Sequence, residues 1–315
     1  MPPVKRFDIV GLGSCGVDYT TKVPSFADKD NKVTSGNVTL HGGGVTANNL
    51  VQAVHLGLRT AWCGALGNDD LGEHLIKTFK ENRIGVIPQR FAKSQFCWII
   101  VNHHGDRQIY VFPNAANLLT PAMVEKKFKR TITQARHFHT EIAVIPLAAA
   151  IRGAELARKA KATVFLDVDG DIEYLTTVGK IGTRQEVMQL LRLADVVKLS
   201  EAAARQIARE TSLETAIHDL LQYATIVAVT LGKEGCIIAD KQEMIRCPAF
   251  SVSCVDSTGA GDAFMGGLSY ALLNKMSLRD VGMFANACGA YACTQAGARG
   301  MGKLSDVRAL MKKKR

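Results

Sequence analysis

Long hydrophobic runs are missing from this sequence. No uncharged apolar stretch reaches the roughly 18 residues a membrane-spanning helix needs, so a membrane protein is not expected. The opening residues MPPVKRFDIV lack the apolar segment and small-residue cleavage site of a secretory signal, which makes the cytoplasm the expected compartment. Cys-x-x-Cys is absent. The eight cysteines, at positions 15, 63, 97, 236, 247, 254, 288 and 293, follow no regular framework and read as reduced, mostly buried thiols. Nucleic acid is not an expected partner either, because no basic block is interleaved with aromatics. Linkers rich in proline, glycine or serine, internal repeats and low-complexity tracts are also lacking, so any second unit has to be built from insertions.

What is present is an ordinary globular composition, with 47% hydrophobic and 22% charged residues in 315. That is chain enough to bury a large core. Lysine and arginine number 39 against 29 acidic residues, a formal charge of +10 that favours anionic ligands such as nucleotides or phosphorylated sugars. Four of these basic residues form the tail Lys312, Lys313, Lys314 and Arg315, read as a solvated helix end.

From about residue 120, β-rich runs (Ala162 to Leu166, Asp195 to Leu199, Thr225 to Thr230) alternate with amphipathic helical periods (Ile151 to Ala160, Val187 to Leu193). This alternation predicts a doubly wound α/β fold, a mostly parallel sheet with helices on both faces. Short alternating strands without intervening helices occupy Thr20 to Leu40 and Gln95 to Phe112, the latter a hairpin turning at His103-His104-Gly105-Asp106. Together they predict a small β-sheet lid, inserted from about 15–42 and 93–115 into a single domain of residues 1–315.

Three glycine clusters follow strand-like or helical segments. Gly11, Gly13 and Gly16 spell Gly-x-Gly-x-x-Gly, but β-prone residues closed by Pro24 follow where a dinucleotide site needs a helix. Asp18, just past a strand end, stands where ligand clefts form in α/β folds. The second cluster, HGGGVTANNLVQAVHLG, opens a helix that Gly57 is placed to stop; Asn48 and Asn49 offer amides suited to hydroxyls. The third is FSVSCVDSTGAGDAFMGGLSYALL, in which Phe250, Val252 and Cys254 alternate as a strand and Phe264, Leu268, Ala271 and Leu272 line a buried helix face. Between them the Gly259-Ala260-Gly261 turn frees backbone amides at a helix N-terminus, an anion site with Asp262 at its mouth. A carboxylate there takes the proton from a hydroxyl while the amides neutralise charge on a transferring phosphoryl group.

DSTGAGDAF resembles the C-terminal signature of the ribokinase-like, or phosphofructokinase-B, carbohydrate kinases, and GGVTAN with Gly57 and GALGNDDLG resembles the N-terminal one. The resemblance runs from about Phe7 to Leu310. It implies an ATP-dependent kinase for a sugar, using magnesium with ATP and potassium as an activating ion. It assigns Asp262 as catalytic base, Gly259, Ala260 and Gly261 as anion hole, and Asp18, Gly43, Gly44, Asn48 and Glu141 as sugar contacts. It places Thr230, Gly232 and Asn286 against ATP, Asp256 and Thr258 at a monovalent cation, and a homodimer through the lid is expected. Family members carry an Asn-x-x-Glu element after a central strand; here VVKLSEAAARQIA offers Ser200 with Ala203, or Lys198 with Glu201, and Glu201 is the candidate for a water-mediated magnesium contact. Rival readings are a nucleoside kinase, a nicotinamide-dependent oxidoreductase and a nucleic-acid-binding module.

Elsewhere, Asp167, Asp169 and Asp171 do not make a calcium loop, since the sixth and twelfth positions are Ile172 and Val178. Asp167 or Asp169, at a strand end, stands either facing the cleft or in a solvated turn. His137 and His139 lie on one strand face without an indicated third ligand, and a structural role is favoured over zinc.

Overall fold

In chain order the strands are β1 (Phe7–Leu12), β2 (Gly16–Lys22), β3 (Thr39–Gly43), β4 (Thr60–Gly67), β5 (Gly85–Phe91), β6 (Gln95–Val101), β7 (Arg107–Phe112), β8 (Ala135–Ile142), β9 (Thr163–Val168), β10 (Val196–Ser200), β11 (Ile226–Thr230), β12 (Cys236–Ala239) and β13 (Met244–Cys247). This computed structural model describes residues 5–104 and 106–313, so Gly105 of the expected turn and Lys314 and Arg315 of the tail lie outside the described residues.

Nine strands form one sheet in the order β13-β12-β11-β10-β9-β8-β1-β4-β5. Pairing is parallel from β11 through β5, and β12 and β13 add an antiparallel edge. Successive residues in the central strands are apolar because both faces are covered. Val164 and Leu166 enter one core cluster while Phe165 between them enters the other, and Val227 and Val229 are divided in the same way from Ala228. Burying a side chain such as Phe165 stabilises the fold by about 1.5–3 kcal/mol.

Helices Leu147–Lys159, Arg184–Leu193, Glu201–Ala208 and Leu213–Leu220 contribute to the first cluster. Helices Val45–His55, Asp70–Glu81, Ala260–Leu273 and Leu278–Ala292 contribute to the second. Polar residues set their starts: Asp69 accepts from Gly72 N at 2.9 Å, and Thr183 and Glu186 form a reciprocal capping box. Gly57, at φ +93°, follows the end of the Val45–His55 helix as the sequence predicts.

The doubly wound sheet and the lid are both present. The lid is a separate sheet of order β3-β2-β6-β7, with β2 and β6 parallel and both edges antiparallel. Its strands are shorter than the expected segments, since residues 23–38 form no strand. The expected strand at Phe250 to Cys254 does not form either; that stretch is irregular and borders a cavity, while the edge strand lies just before it at β13. Gly16 opens β2, not a helix, so the first glycine cluster has no helix N-terminus to offer a dinucleotide.

Strand order positions the site. From β1 the sheet extends through β4 and β5 on one side and through β8 to β11 on the other, so a crevice opens at the carboxyl ends of the strands where the winding reverses.

Candidate active site

The Ala260–Leu273 helix starts at that crevice. Gly259 adopts φ +80°, and a Cβ there would lie 2.3 Å from the Ala298 carbonyl oxygen, so both backbone twist and space demand glycine. No side chain caps this helix. Ala260 N bonds Ser257 O at 3.3 Å and Ala263 N bonds Gly259 O at 2.8 Å, while the first-turn amides between them have no carbonyl one turn earlier to use. Ala260 and Gly261 border a cavity of about 620 Å³ shared with Thr230, Gly232, Phe250 and Asn286. The three residues expected against ATP thus adjoin the expected anion hole. Asn286 is fixed there by donating to the carbonyls of Cys247 (3.0 Å) and Pro248 (3.2 Å).

Asp262 is in the first turn and 9% exposed. Burial pushes its carboxyl well above the usual carboxylate range; Asp167 and Asp169 add to the effect, and Lys198 and Asn48 oppose it. Asn48 donates through Nδ2 to Asp262 Oδ2 at 2.8 Å, and its Oδ1 accepts from Arg299 Nε at 3.0 Å. Both ends of the Asn48 amide are therefore engaged, and their partners dictate which end faces the base. Arg299 also donates to Gly43 O (3.0 Å) and Thr78 Oγ1 (3.3 Å) and lies over the Phe79 ring.

Asp18, on β2, packs against Gly43, where a Cβ would fall 2.3 Å from Oδ2. Burial raises its pKa, with Arg299, Cys97 and His41 opposing. Gly44, at φ +97°, is the N-cap of the Val45–His55 helix. Glu141 is fully buried; its Oε2 accepts from Thr46 N (3.0 Å) and Thr46 Oγ1 (2.6 Å), while Oε1 has no hydrogen-bond partner among the described residues. The β2–β3 wall and the following helix thus carry Asp18, Gly43, Gly44 and Asn48, with Asn48 linking them to Asp262.

Asp256 accepts from the amides of Thr258 (2.9 Å) and Gly297 (3.0 Å). Burial works against its ionised form, but these bonds outweigh it and its pKa falls. Thr258 Oγ1 also accepts from Arg107 Nη1 of lid strand β7 at 2.9 Å, a clasp between lid and anion turn.

The largest surprise is on β10. Lys198, 4% exposed between Val197 and Leu199, donates from Nζ to Asp167 Oδ1 at 2.8 Å. Burial alone would lower its pKa, but the carboxylates of Asp167, Asp169 and Asp262 raise it and keep the ammonium charged. Of the strand-end acids, Asp167 is fully buried and paired with this lysine, while Asp169 is exposed and acts on the same groups through its charge alone. Glu201 is held by Arg205 at 3.1 and 2.6 Å on its own helix, Ala203 is buried, and Ser200 caps that helix through Ala203 N. Arg299 and Arg107 escaped the sequence reading, which weighed Lys198 only as one register of the Asn-x-x-Glu element; the further sign available for it was one lysine among the apolar residues Val196, Val197 and Leu199.

His137 and His139 share one hydroxyl, that of Ser269, at 2.7 and 3.1 Å. Burial pushes His137 down to about 3 and His139 well below its ordinary value, so both are neutral structural groups. No cluster of three or more histidine, cysteine or acidic residues fit to hold a metal occurs among the described residues.

A carboxylate beside uncapped helix amides, at one end of a nucleotide-sized cavity and faced by a polar wall, is the equipment of phosphoryl transfer to a hydroxyl. Residues 6–303 match the pfkB family of carbohydrate kinases, and the chain belongs to that family. It is similar to fructokinase-1 of Oryza sativa subsp. japonica, 30% identical over 274 residues covering 81% of this chain and 83% of the relative. It is also similar to fructokinase-2 of Zea mays, 28% identical over 310 residues covering 92% and 89%. In fold it is similar to the ribokinase of Arabidopsis thaliana solved with ribose and ATP, with a TM-score of 0.84, 20% identity and coverage of 97% and 99%. The chain is a phosphotransferase with an alcohol group as acceptor.

Proposed function

We propose that this chain, as a single kinase domain of residues 1–315 with an inserted lid, transfers the γ-phosphate of ATP to a primary hydroxyl of a small fructose-like or ribose-like sugar. The observation that carries this reading is Asp262, buried and hydrogen-bonded in the first turn of a helix that no side chain caps, beside the Gly259-Ala260-Gly261 turn, where the nucleotide cavity meets the Asp18–Asn48 wall. Asp262 accepts the hydroxyl proton as the acceptor oxygen attacks phosphorus, and the turn amides receive the developing charge. Lid closure through Arg107 and Thr258 keeps water from competing as acceptor.

ATP enters as its magnesium complex, with the nucleotide along Thr230, Gly232 and Asn286. Any contact from Glu201 to that magnesium runs through a carboxylate already paired with Arg205. The low pKa of Asp256 suits it to support a potassium ion with Thr258, an ion that fixes the anion turn and takes no part in the chemistry. Acceptors on Asp18 and Glu141 favour a polyhydroxylated ligand. Exposed Ile109, Tyr110, Val111 and Phe112 on lid strand β7 support a homodimer through the lid. Eight free cysteines fit a reducing compartment, the cytoplasm.

The test is ADP release from magnesium ATP against a panel of hexoses, pentoses and nucleosides. D-fructose or D-ribose should give the highest kcat/KM. Turnover confined to nucleosides would replace this reading with that of a nucleoside kinase.

A further inference from the structure

The buried ammonium of Lys198 lies against the middle glycine of the anion turn. A Cβ built on Gly261 would come within 2.9 Å of Nζ, so the absence of a side chain is what lets the ammonium approach the turn. Among the described residues Nζ makes one hydrogen bond, to Asp167 Oδ1, although an ammonium carries three N–H donors. A buried lysine–aspartate pair is a poor device for stability alone, since desolvating both charges offsets their attraction. This one stands in the middle of β10, with one hydrogen-bond partner and its ammonium directly beside Gly261 of the turn where a phosphoryl group would be received.

We infer that Lys198 donates directly to the non-bridging oxygens of the phosphoryl group in transfer, adding a fixed positive charge to the neutral amides of Gly259, Ala260 and Gly261. The inference rests on the phosphoryl-transfer reading of the site. In the step, the acceptor oxygen bonds to the γ-phosphorus, the bond from that phosphorus to ADP breaks, and its electron pair stays on the β-phosphate oxygen. The hydroxyl proton goes to Asp262; Lys198 neither gains nor loses one. A compact ammonium suits this place better than a guanidinium, because the space over Gly261 admits little more than the hydrogen of glycine.

A second consequence follows from the charges around the base. Asp262 is faced by Asp167 at the end of β9, Asp169 just beyond it, Lys198 on β10 and the Asn48 amide. Lys198 is the one cation in that set, and it favours the ionised carboxylate. Removing it raises the pKa of Asp262, so the acid limb of the kcat profile moves to higher pH.

The test measures ADP affinity by calorimetry with and without aluminium fluoride, a mimic of the phosphoryl group in flight, in the presence of D-fructose. Wild type should bind ADP more tightly when fluoride is added. Lys198→Met should keep its affinity for ADP alone but lose about 10²- to 10³-fold of the fluoride-dependent gain, with a similar fall in kcat and an acid limb moved to higher pH. The variant Asp167→Asn/Lys198→Met leaves no unpaired buried charge, guards against a folding defect, and should lose the same gain. Asp167→Asn alone retains the cation and should retain the gain. A wild-type gain in the folded double variant overturns the inference while leaving phosphoryl transfer intact; no fluoride-dependent gain in wild type overturns both.

Discussion

Replacing Asn48 by leucine keeps the branched outline of the side chain, with the same number of heavy atoms, and removes the amide that holds Asp262. The lost bond is 2.8 Å long, joins a neutral donor to a carboxylate, and lies between side chains 2% and 9% exposed, so water does not readily take its place. Hydrogen bonds to charged groups contribute about 1.5–3 kcal/mol, equivalent to about 10- to 150-fold in an equilibrium or rate constant. The bond favours the ionised carboxylate, and without it the already elevated pKa of Asp262 rises further. At neutral pH less of the enzyme holds a competent base. In a kcat profile, Asn48→Leu should therefore fall by about 10- to 150-fold at pH 7, recover part of the loss as pH increases, and show an acid limb at higher pH than wild type. Arg299 loses one acceptor, but it keeps Gly43 O and Thr78 Oγ1 and is partly exposed, so its contribution to the loss is small. A variant with unchanged kcat, an unmoved limb and a raised KM for the sugar would refute this reasoning and make Asn48 purely a sugar contact.

Two further outcomes are expected. His137 titrates near 3 when folded and near 6.5 when unfolded, so the stability it contributes is complete above the unfolded value and is lost as pH falls from about 6.5 toward 3; His137→Asn should show a shallower dependence of urea midpoint on pH in that window, and identical slopes would remove this histidine from the pH response. Catalysis should be faster in potassium than in sodium or a bulky organic cation at matched ionic strength, through Asp256 and Thr258, and equal rates in all three would show that no ion is needed there.

The parallel sheet was legible because strands buried on both faces must be apolar throughout, and β9, β10 and β11 meet that requirement almost without interruption. The turn before Asp262 was legible as a helix entrance because Gly259, Ala260 and Gly261 stand between strand-like and helical spacing, and the helix Ala260–Leu273 starts there. The identity of the groups that tune Asp262 was not. Asn48 is 214 positions away from the base and Arg299 is 251 away from Asn48, and no local pattern encodes those contacts. Register uncertainty around Ser200 drew attention to a missing acid, whereas the charged group that the structure buries there is the lysine two residues earlier, paired with Asp167. The segment from Phe250 to Cys254 has a strand's alternation but forms no strand; Phe250, Ser251, Val252 and Cys254 border the cavity of about 620 Å³ from an irregular backbone.

The central claim, that Asp262 takes the proton as phosphate is transferred to a sugar hydroxyl, is tested most directly by following sugar phosphate formed from magnesium ATP by wild type and by Asp262→Asn, with ATP affinity measured on the same samples. Asparagine preserves the shape and the helix entrance but accepts no proton. The account predicts product formation slowed by at least about 10²-fold with ATP affinity nearly unchanged. Product formed at near wild-type rate by the folded Asp262→Asn protein would contradict it.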